Sequence, residues 1–326
     1  MTNTVEIPAL VDMHVHLREP GFEYKETIQS GLLAAYRGGF GAVCAMPNTS
    51  PVCDNIDTLN YILEKAKGYK CKLYPVCAVT KNLNTNKLVD FEALAKAGAV
   101  AFSNDGLPIL NHSVFYNALK SGYLILSHCE DETREVQWQC EIFEELVREG
   151  FSPRLHFCHI SKKASLEIIK KAKARGLKIT CESAPHYFTF TNENITDTGV
   201  FKMNPPLGDE CDKQAVIEAV KDGTIDTIST DHAPHGDDEK LLPYDKSPNG
   251  ITGLETAFSL TYGQFGLNKT IELMSLNPSK ILGIKNDKKV KFDLDAPWQV
   301  KGAEFASKCK VTPYEGMILK GVKIDD

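Results

Sequence analysis

Apolar and β-branched residues gather in eight short runs along the chain. They are PALVDMHVHL (8–17), GAVCAMPN (41–48), KLYPVCAVT (72–80), GAVAFSND (98–105), YLILSHCE (123–130), RLHFCHIS (154–161), KITCESAPH (178–186) and IDTISTDHAPH (225–235). Runs of this length and composition suit strands covered on both faces. Between them lie stretches whose apolar positions recur with a helical period, among them 25–39, 55–69, 131–150 and 162–176. Several of these close on a basic residue followed by Gly, a helix-stop signal. Strand then helix, eight times over, predicts an α/β fold with a parallel sheet. Eight such units over roughly 280 residues fit a (β/α)8 TIM barrel. A doubly wound sheet would need a Gly-rich phosphate turn after the first strand, and HLREPG is not one.

A barrel of this kind places its chemistry at the C-terminal ends of the strands. The polar residues obey that rule. The first run ends in His14, His16 and Arg18, the second in Asn48, the fourth in Asp105, the fifth in His128 and the sixth in His159. The eighth ends in Asp231, followed by His232 and His235. Of nine histidines, only His112 and His156 lie away from a predicted strand end. An HxH pair alone carries little information, although His14 and His16 share one face of a strand. Four histidines and two aspartates at one mouth predict a metal site. Imidazole and carboxylate ligands suit zinc. Six ligands exceed the three that a single catalytic zinc takes and suit two ions sharing a bridge. Metal-bound water has a pKa near 7, which makes it a hydrolase's nucleophile. No GxSxG motif offers a serine nucleophile instead.

Composition narrows the context. Apolar content of 42% and charged content of 25% are ordinary for a globular chain. A net charge of −6 and the lack of a basic run argue against nucleic acid. No apolar stretch of about 18 residues suggests a membrane span, and the N-terminus lacks the pattern of a signal peptide. The ten cysteines are scattered, with no CxxC pair, and many sit in apolar runs. That pattern suits buried free thiols in a reducing compartment and predicts a cytoplasmic protein.

The segments DMHVHLREPG, AMPNTSP, SNDG, SHCED, CHIS, KMNPPL, STDHAPH and NGITGLETAFSL occur in this order from about residue 8 to 283. Together they closely resemble the dihydroorotases of the amidohydrolase superfamily, in particular the bacterial type with an aspartate on the fourth strand. The resemblance implies reversible, metal-dependent hydrolysis of L-dihydroorotate to N-carbamoyl-L-aspartate, used in the cyclisation direction in pyrimidine biosynthesis. It makes His14, His16 and Asp231 ligands of one ion, His128 and His159 ligands of a second, and Asp105 the bridge. Zn2+ is the implied metal, two ions per subunit or one. Asp231 is also the implied catalytic acid/base. Arg18, Asn48 and His235 would bind the substrate carboxylate. Asn204 and the backbone near Asn249 and Gly250 would hold the ring amides.

Other residues carry less. His232 reads as a buttress, His156 as structural and His112 as a loop or cap residue. Cys158 alternates with His159 and is expected to face away from the site. Glu182 and His186 receive no role. The expected domains are the barrel at 8–285 and a C-terminal extension at 286–326. The extension reads as a truncated β-sandwich remnant, because no partner segment is evident before the first strand. Two other functions fit parts of the pattern. One is a cyclic amide hydrolase of the allantoinase or hydantoinase type, which lacks the Arg-Asn-His clamp. The other is a non-catalytic subunit supporting a partner, which would have lost metal ligands; none is lost here. A homodimer and association with aspartate transcarbamoylase are the partner arrangements the resemblance suggests.

Overall fold

The computed structural model of the chain describes residues 3–324. Eight parallel strands follow one another in sequence order around a barrel. They are β2 (Leu10–Val15), β3 (Phe40–Ala45), β4 (Lys72–Cys77), β5 (Ala101–Ser103), β6 (Leu124–Ser127), β7 (Arg154–Phe157), β8 (Thr180–Ser183) and β9 (Thr227–Ile228). The first and last strands meet through a parallel bridge between Val15 and His232, where His16 N–H donates to the His232 carbonyl at 2.7 Å.

Side-chain parity separates two apolar layers. Ala42 and Cys44 of β3, Met46 just beyond it, and Leu124 and Leu126 of β6 pack in a cluster whose only helical side chains among the described residues are Leu282 and the partly buried Ile281. This is the barrel interior. The intervening Val43, Ala45 and Ile125 pack against the helices in the larger cluster. The next inward positions on these two strands are Asn48 and His128, so parity aims both at the mouth.

The four helical stretches quoted above form helices at Ile28–Arg37, Ile56–Lys65, Glu132–Arg148 and Lys163–Ala174. Their N-termini show the expected chemistry: Thr27 forms a capping box with Ser30, and Asn55 accepts from Thr58 N–H. The eighth predicted strand is much shorter than its apolar run. The chain leaves the ladder after Ile228, and Asp231 adopts φ 48°, which breaks regular pairing.

A three-stranded antiparallel sheet lies beside the barrel, in the order β1 (Thr4–Pro8), β10 (Lys289–Gln299), β11 (Ile318–Ile324). The C-terminal segment therefore does have an N-terminal partner: Thr4 pairs with Asp293 and Pro8 with Lys289. The alternation of Val5 and Ile7 in TVEIP is its signal, too short to stand out next to the first barrel strand. Among the described residues, no helix is long and apolar enough to cross a membrane.

Candidate metal centre and substrate pocket

His14, His16, Asp105, His128, His159 and Asp231 all come together at the barrel mouth, and each is buried. Asp105 stands among the imidazoles. Its Oδ1 lies 3.2 Å from His14 Nε2, 3.4 Å from His128 Nδ1 and 3.7 Å from His159 Nε2, and its Oδ2 lies 3.3 Å from His16 Nε2. Asp231 Oδ1 lies 3.2 Å from His16 Nε2 and 3.5 Å from His14 Nε2. The ligand atoms of His14, His16 and Asp231 fall within 4.8 Å of one another, as do those of His14, Asp105 and His159.

The strand ends are bent to make this possible. Arg18, His159 and Asp231 adopt φ of 61°, 37° and 48°. Left-handed backbone at a non-glycine residue costs on the order of 1–3 kcal/mol and persists where surrounding structure enforces it. On β2 the register slips by one residue between Asp12 and Val15. Val11 and Met13 therefore face the interior, and so do His14 and His16 beyond the slip.

Electrostatics explain why the cluster tolerates burial. Burial pushes the Asp105 carboxyl up, but the imidazoles of His14, His128 and His159 around it together outweigh burial and hold it well below the usual carboxylate range. Asp231 is likewise held low against burial, chiefly by His14 and His16. His14 is raised by Asp105 despite burial. The carboxylates are thus ionised, with the imidazoles around them as their main compensation. Three atoms of the cluster are buried without a hydrogen-bond partner, His14 Nε2, Asp105 Oδ1 and His159 Nδ1, and the first two face each other. Buried polar atoms that face each other unpaired are costly, and a divalent cation is the group that satisfies a nitrogen lone pair and a carboxylate together. The donor set fits a metal.

The pocket beside this cluster is lined by Arg18, Asn48, Asn204, Asn249 and Gly250, together with the metal-site side chains. Arg18 Nε donates to the Pro234 carbonyl at 3.1 Å. His235 Nε2 lies 2.7 Å from the Asn249 carbonyl, and Lys25 Nζ lies 3.1 Å from Nδ1. Burial, with Arg18 and Lys25 nearby, pushes His235 down to about 2, so its ring is neutral. A neutral ring that donates from Nε2 to a carbonyl has no lone pair there. Arg18 Nη2, at 3.2 Å from the same Nε2, then meets a donor with a donor. Arg18 Nη2 therefore finds no acceptor in His235, and an anion would provide one.

Asn48, the expected carboxylate ligand, lines the pocket and also contacts the cluster. His16 Nδ1 lies 2.8 Å from its Oδ1, and its Nδ2 donates to Asp105 Oδ2 at 3.3 Å. Its carboxamide orients a histidine and an aspartate of the cluster. Asn204 Nδ2 donates to Glu130 Oε2 at 2.9 Å.

Cys158 does not face away. Its Sγ lies with His14 and Glu182 inside the barrel, and it belongs to the interior cluster. Alternation fails because His159 stands past the end of β7 in a left-handed conformation. Burial pushes the Cys158 thiol up, away from nucleophile chemistry. His232 sits behind the site, its Nε2 3.4 Å from Glu26 Oε2 and its Nδ1 accepting from Gly253 N–H at 3.2 Å. His186 is buried with neither nitrogen hydrogen-bonded, and burial pushes it down to about 4. His156 and Glu182 form a buried pair inside the barrel.

The stretches 191–208 and 236–250 rim the pocket and are stitched to each other. Gly250 N–H donates to the Lys202 carbonyl at 2.9 Å, and Tyr244 N–H to that of Asp197 at 2.8 Å. The buried Lys240 Nζ donates to Lys202 O at 3.0 Å and Pro248 O at 3.1 Å.

Comparison with known proteins matches residues 3–151 to a family described as Dihydro-orotase-like. Curated relatives named dihydroorotase include those of Pelotomaculum thermopropionicum and Acetivibrio thermocellus, each 40% identical across 97% of this chain and 84% of the relative. The dihydroorotase of Geobacter metallireducens is 41% identical across 96% and 84%. Among solved structures, the L-hydantoinase (dihydropyrimidinase) of Arthrobacter aurescens superposes with a TM-score of 0.85 at 22% identity, covering 98% of this chain and 83% of that one. The D-hydantoinase of a Thermus species gives 0.81 at 21%, covering 98% and 83%. These two likenesses concern the fold.

Proposed function

The chain belongs to the dihydroorotase family, and from that premise we propose that its barrel mouth holds two zinc ions and opens the ring of L-dihydroorotate beside them. His14, His16 and Asp231 would hold one ion, His128 and His159 the other, and Asp105 would bridge. The observation that carries this reading is the facing pair of unpartnered buried atoms, His14 Nε2 and Asp105 Oδ1, 3.2 Å apart. When bound, the ions supply an acidified water and polarise the amide carbonyl.

The chain's own residues do the rest. Arg18 presents the Nη edge of its guanidinium, for which the neutral His235 beside it offers no acceptor, and the substrate carboxylate supplies one. Asn204, Asn249 and Gly250 line the cavity, and Asn204 with the backbone at Asn249 and Gly250 would hold the ring amides. Asn48 keeps His16 in the tautomer whose Nε2 faces the cluster. Asp231 accepts the proton of the attacking water and passes it to the departing ring nitrogen; in the cyclising direction the same group works in reverse. A cytoplasmic setting is supported by nine buried free thiols.

Dihydrouracil, which lacks the carboxylate, tests the clamp and separates this reading from a hydantoinase-type activity. Removing two charge-assisted hydrogen bonds forfeits about 3 kcal/mol or more. The expected kcat/KM for L-dihydroorotate therefore exceeds that for dihydrouracil by at least about 100-fold. Equal efficiency for the two would contradict the clamp.

A further inference from the structure

Below the mouth, inside the barrel, one carboxylate has no part in the chemistry described so far. Glu182 on β8 is fully buried. Its Oε1 lies 2.8 Å from His14 Nδ1. Its Oε2 lies 3.2 Å from His156 Nε2 and accepts from Ser229 Oγ at 2.5 Å. Its partners thus come from β2, from β7 and from the segment just after β9. A buried carboxylate without such donors would be strongly destabilising.

We propose that Glu182 is a positioning residue for the metal centre: it holds the His14 ring so that Nε2 projects toward Asp105 and Asp231. The inference rests on the metal reading above. Three observations support it. A carboxylate can only accept, so the 2.8 Å contact requires a proton on His14 Nδ1. A neutral ring protonated there carries its lone pair on Nε2, the buried atom without a hydrogen-bond partner. A ligating imidazole must be unprotonated at the ligating nitrogen, and a carboxylate on the other nitrogen is how metal sites fix tautomer and ring angle.

The second observation is the register slip between Asp12 and Val15. The regular ladder is interrupted where His14 stands, so a lateral anchor from β8 takes over part of the ring's placement. The third excludes a rival. His14, Cys158 and Glu182 could by composition form a separate metal site, with ligand atoms within 4.8 Å. Two ligands of one tetrahedral zinc, at bond lengths of about 2.1 Å, stand about 3.4 Å apart. His14 Nδ1 and Glu182 Oε1, at 2.8 Å, are in hydrogen-bond contact with no room for an ion between them.

The test is zinc affinity, measured on the full chain after metal stripping by competition with a chromophoric chelator. Thermal unfolding of the stripped protein runs in parallel. Glu182→Gln keeps the size but supplies one acceptor oxygen and a donor where three donors converge. Expected is an affinity about 10- to 100-fold weaker than wild type, with a larger drop than the shift in unfolding midpoint explains. Glu182→Asp keeps the charge one methylene further back. It is expected to lose less zinc affinity than Glu182→Gln, and it serves as the test should the Gln variant not fold. Wild-type zinc affinity in a folded Gln variant, or in the Asp variant where the Gln variant does not fold, would overturn the inference. So would a loss that merely tracks stripped-state stability, since that marks a structural hub. A wild-type chain that binds no zinc would overturn the metal reading itself, and this inference with it.

Discussion

Arg18→Lys isolates the substrate clamp from the metal centre. The guanidinium does two things at once: Nε holds the Pro234 carbonyl at 3.1 Å, and Nη2 is directed beside His235 Nε2 at 3.2 Å. An ammonium is a single point donor group on a flexible stem and cannot reproduce a planar fork fixed at one edge. A lysine that reaches the substrate releases Pro234; one that holds Pro234 falls short of the substrate. Either way one charge-assisted hydrogen bond is lost, about 1.5–3 kcal/mol, or roughly 10- to 150-fold in affinity. Arg18 makes no hydrogen bond to the six cluster side chains, so zinc content should not change. Steady-state hydrolysis of L-dihydroorotate, followed by loss of its ultraviolet absorbance, should show KM raised by that factor with kcat affected much less. Metal analysis of the same sample supplies the control. A KM within about twofold of wild type, with full metal, would refute the assignment of the carboxylate to Arg18. A parallel loss of metal and rate would show that Arg18 supports the cluster instead.

Other consequences can be checked independently. Asp231→Asn should retain most of its zinc yet lose at least about 100-fold in kcat, because an amide oxygen can coordinate but cannot carry the proton; near-wild-type turnover would leave Asp231 a ligand only. Since its neighbours hold the Asp231 carboxyl below the usual range, hydrolysis should keep its plateau through that range and fall only as pH drops below it. Lys240 has its pKa pulled by burial from 10.5 to about 7, so between those values the unfolded chain binds more protons and stability should rise with pH. Denaturant midpoints of Lys240→Met against wild type should show that slope flattened; identical slopes would count against a buried, titrating Lys240. The stitching of 191–208 to 236–250 predicts that substrate raises hydrogen-exchange protection in both segments together. A response confined to one would show that they move separately.

Much of the site was legible because strand parity is a strict rule. On β3, Ala42, Cys44 and Met46 point inward and lead to Asn48; on β6, Leu124 and Leu126 lead to His128. What escaped lies where parity is broken. Cys158 was misplaced because its neighbour His159 has left the strand with φ 37°, so the two do not alternate. The slip on β2 lets Met13 and His14 both face inward, which no period-2 pattern contains. Asn48 reads equally well as a substrate ligand or as the partner of His16, since the choice depends on where β2 places the His16 ring. Glu182 stood unassigned because its meaning comes from His14, 168 positions away in sequence. The strand Thr4–Pro8 escaped because five residues carry only two alternating apolar positions.

The central claim is that this cluster of histidines and aspartates works as a metal centre for dihydroorotate. The most direct measurement strips the protein of metal and titrates zinc back while following both bound metal and hydrolysis of L-dihydroorotate. Turnover that is absent in the stripped protein and rises in proportion to bound zinc, to a plateau at no more than two ions per chain, is the predicted result. Full activity in the stripped protein, or zinc bound at the cluster without turnover, would contradict it.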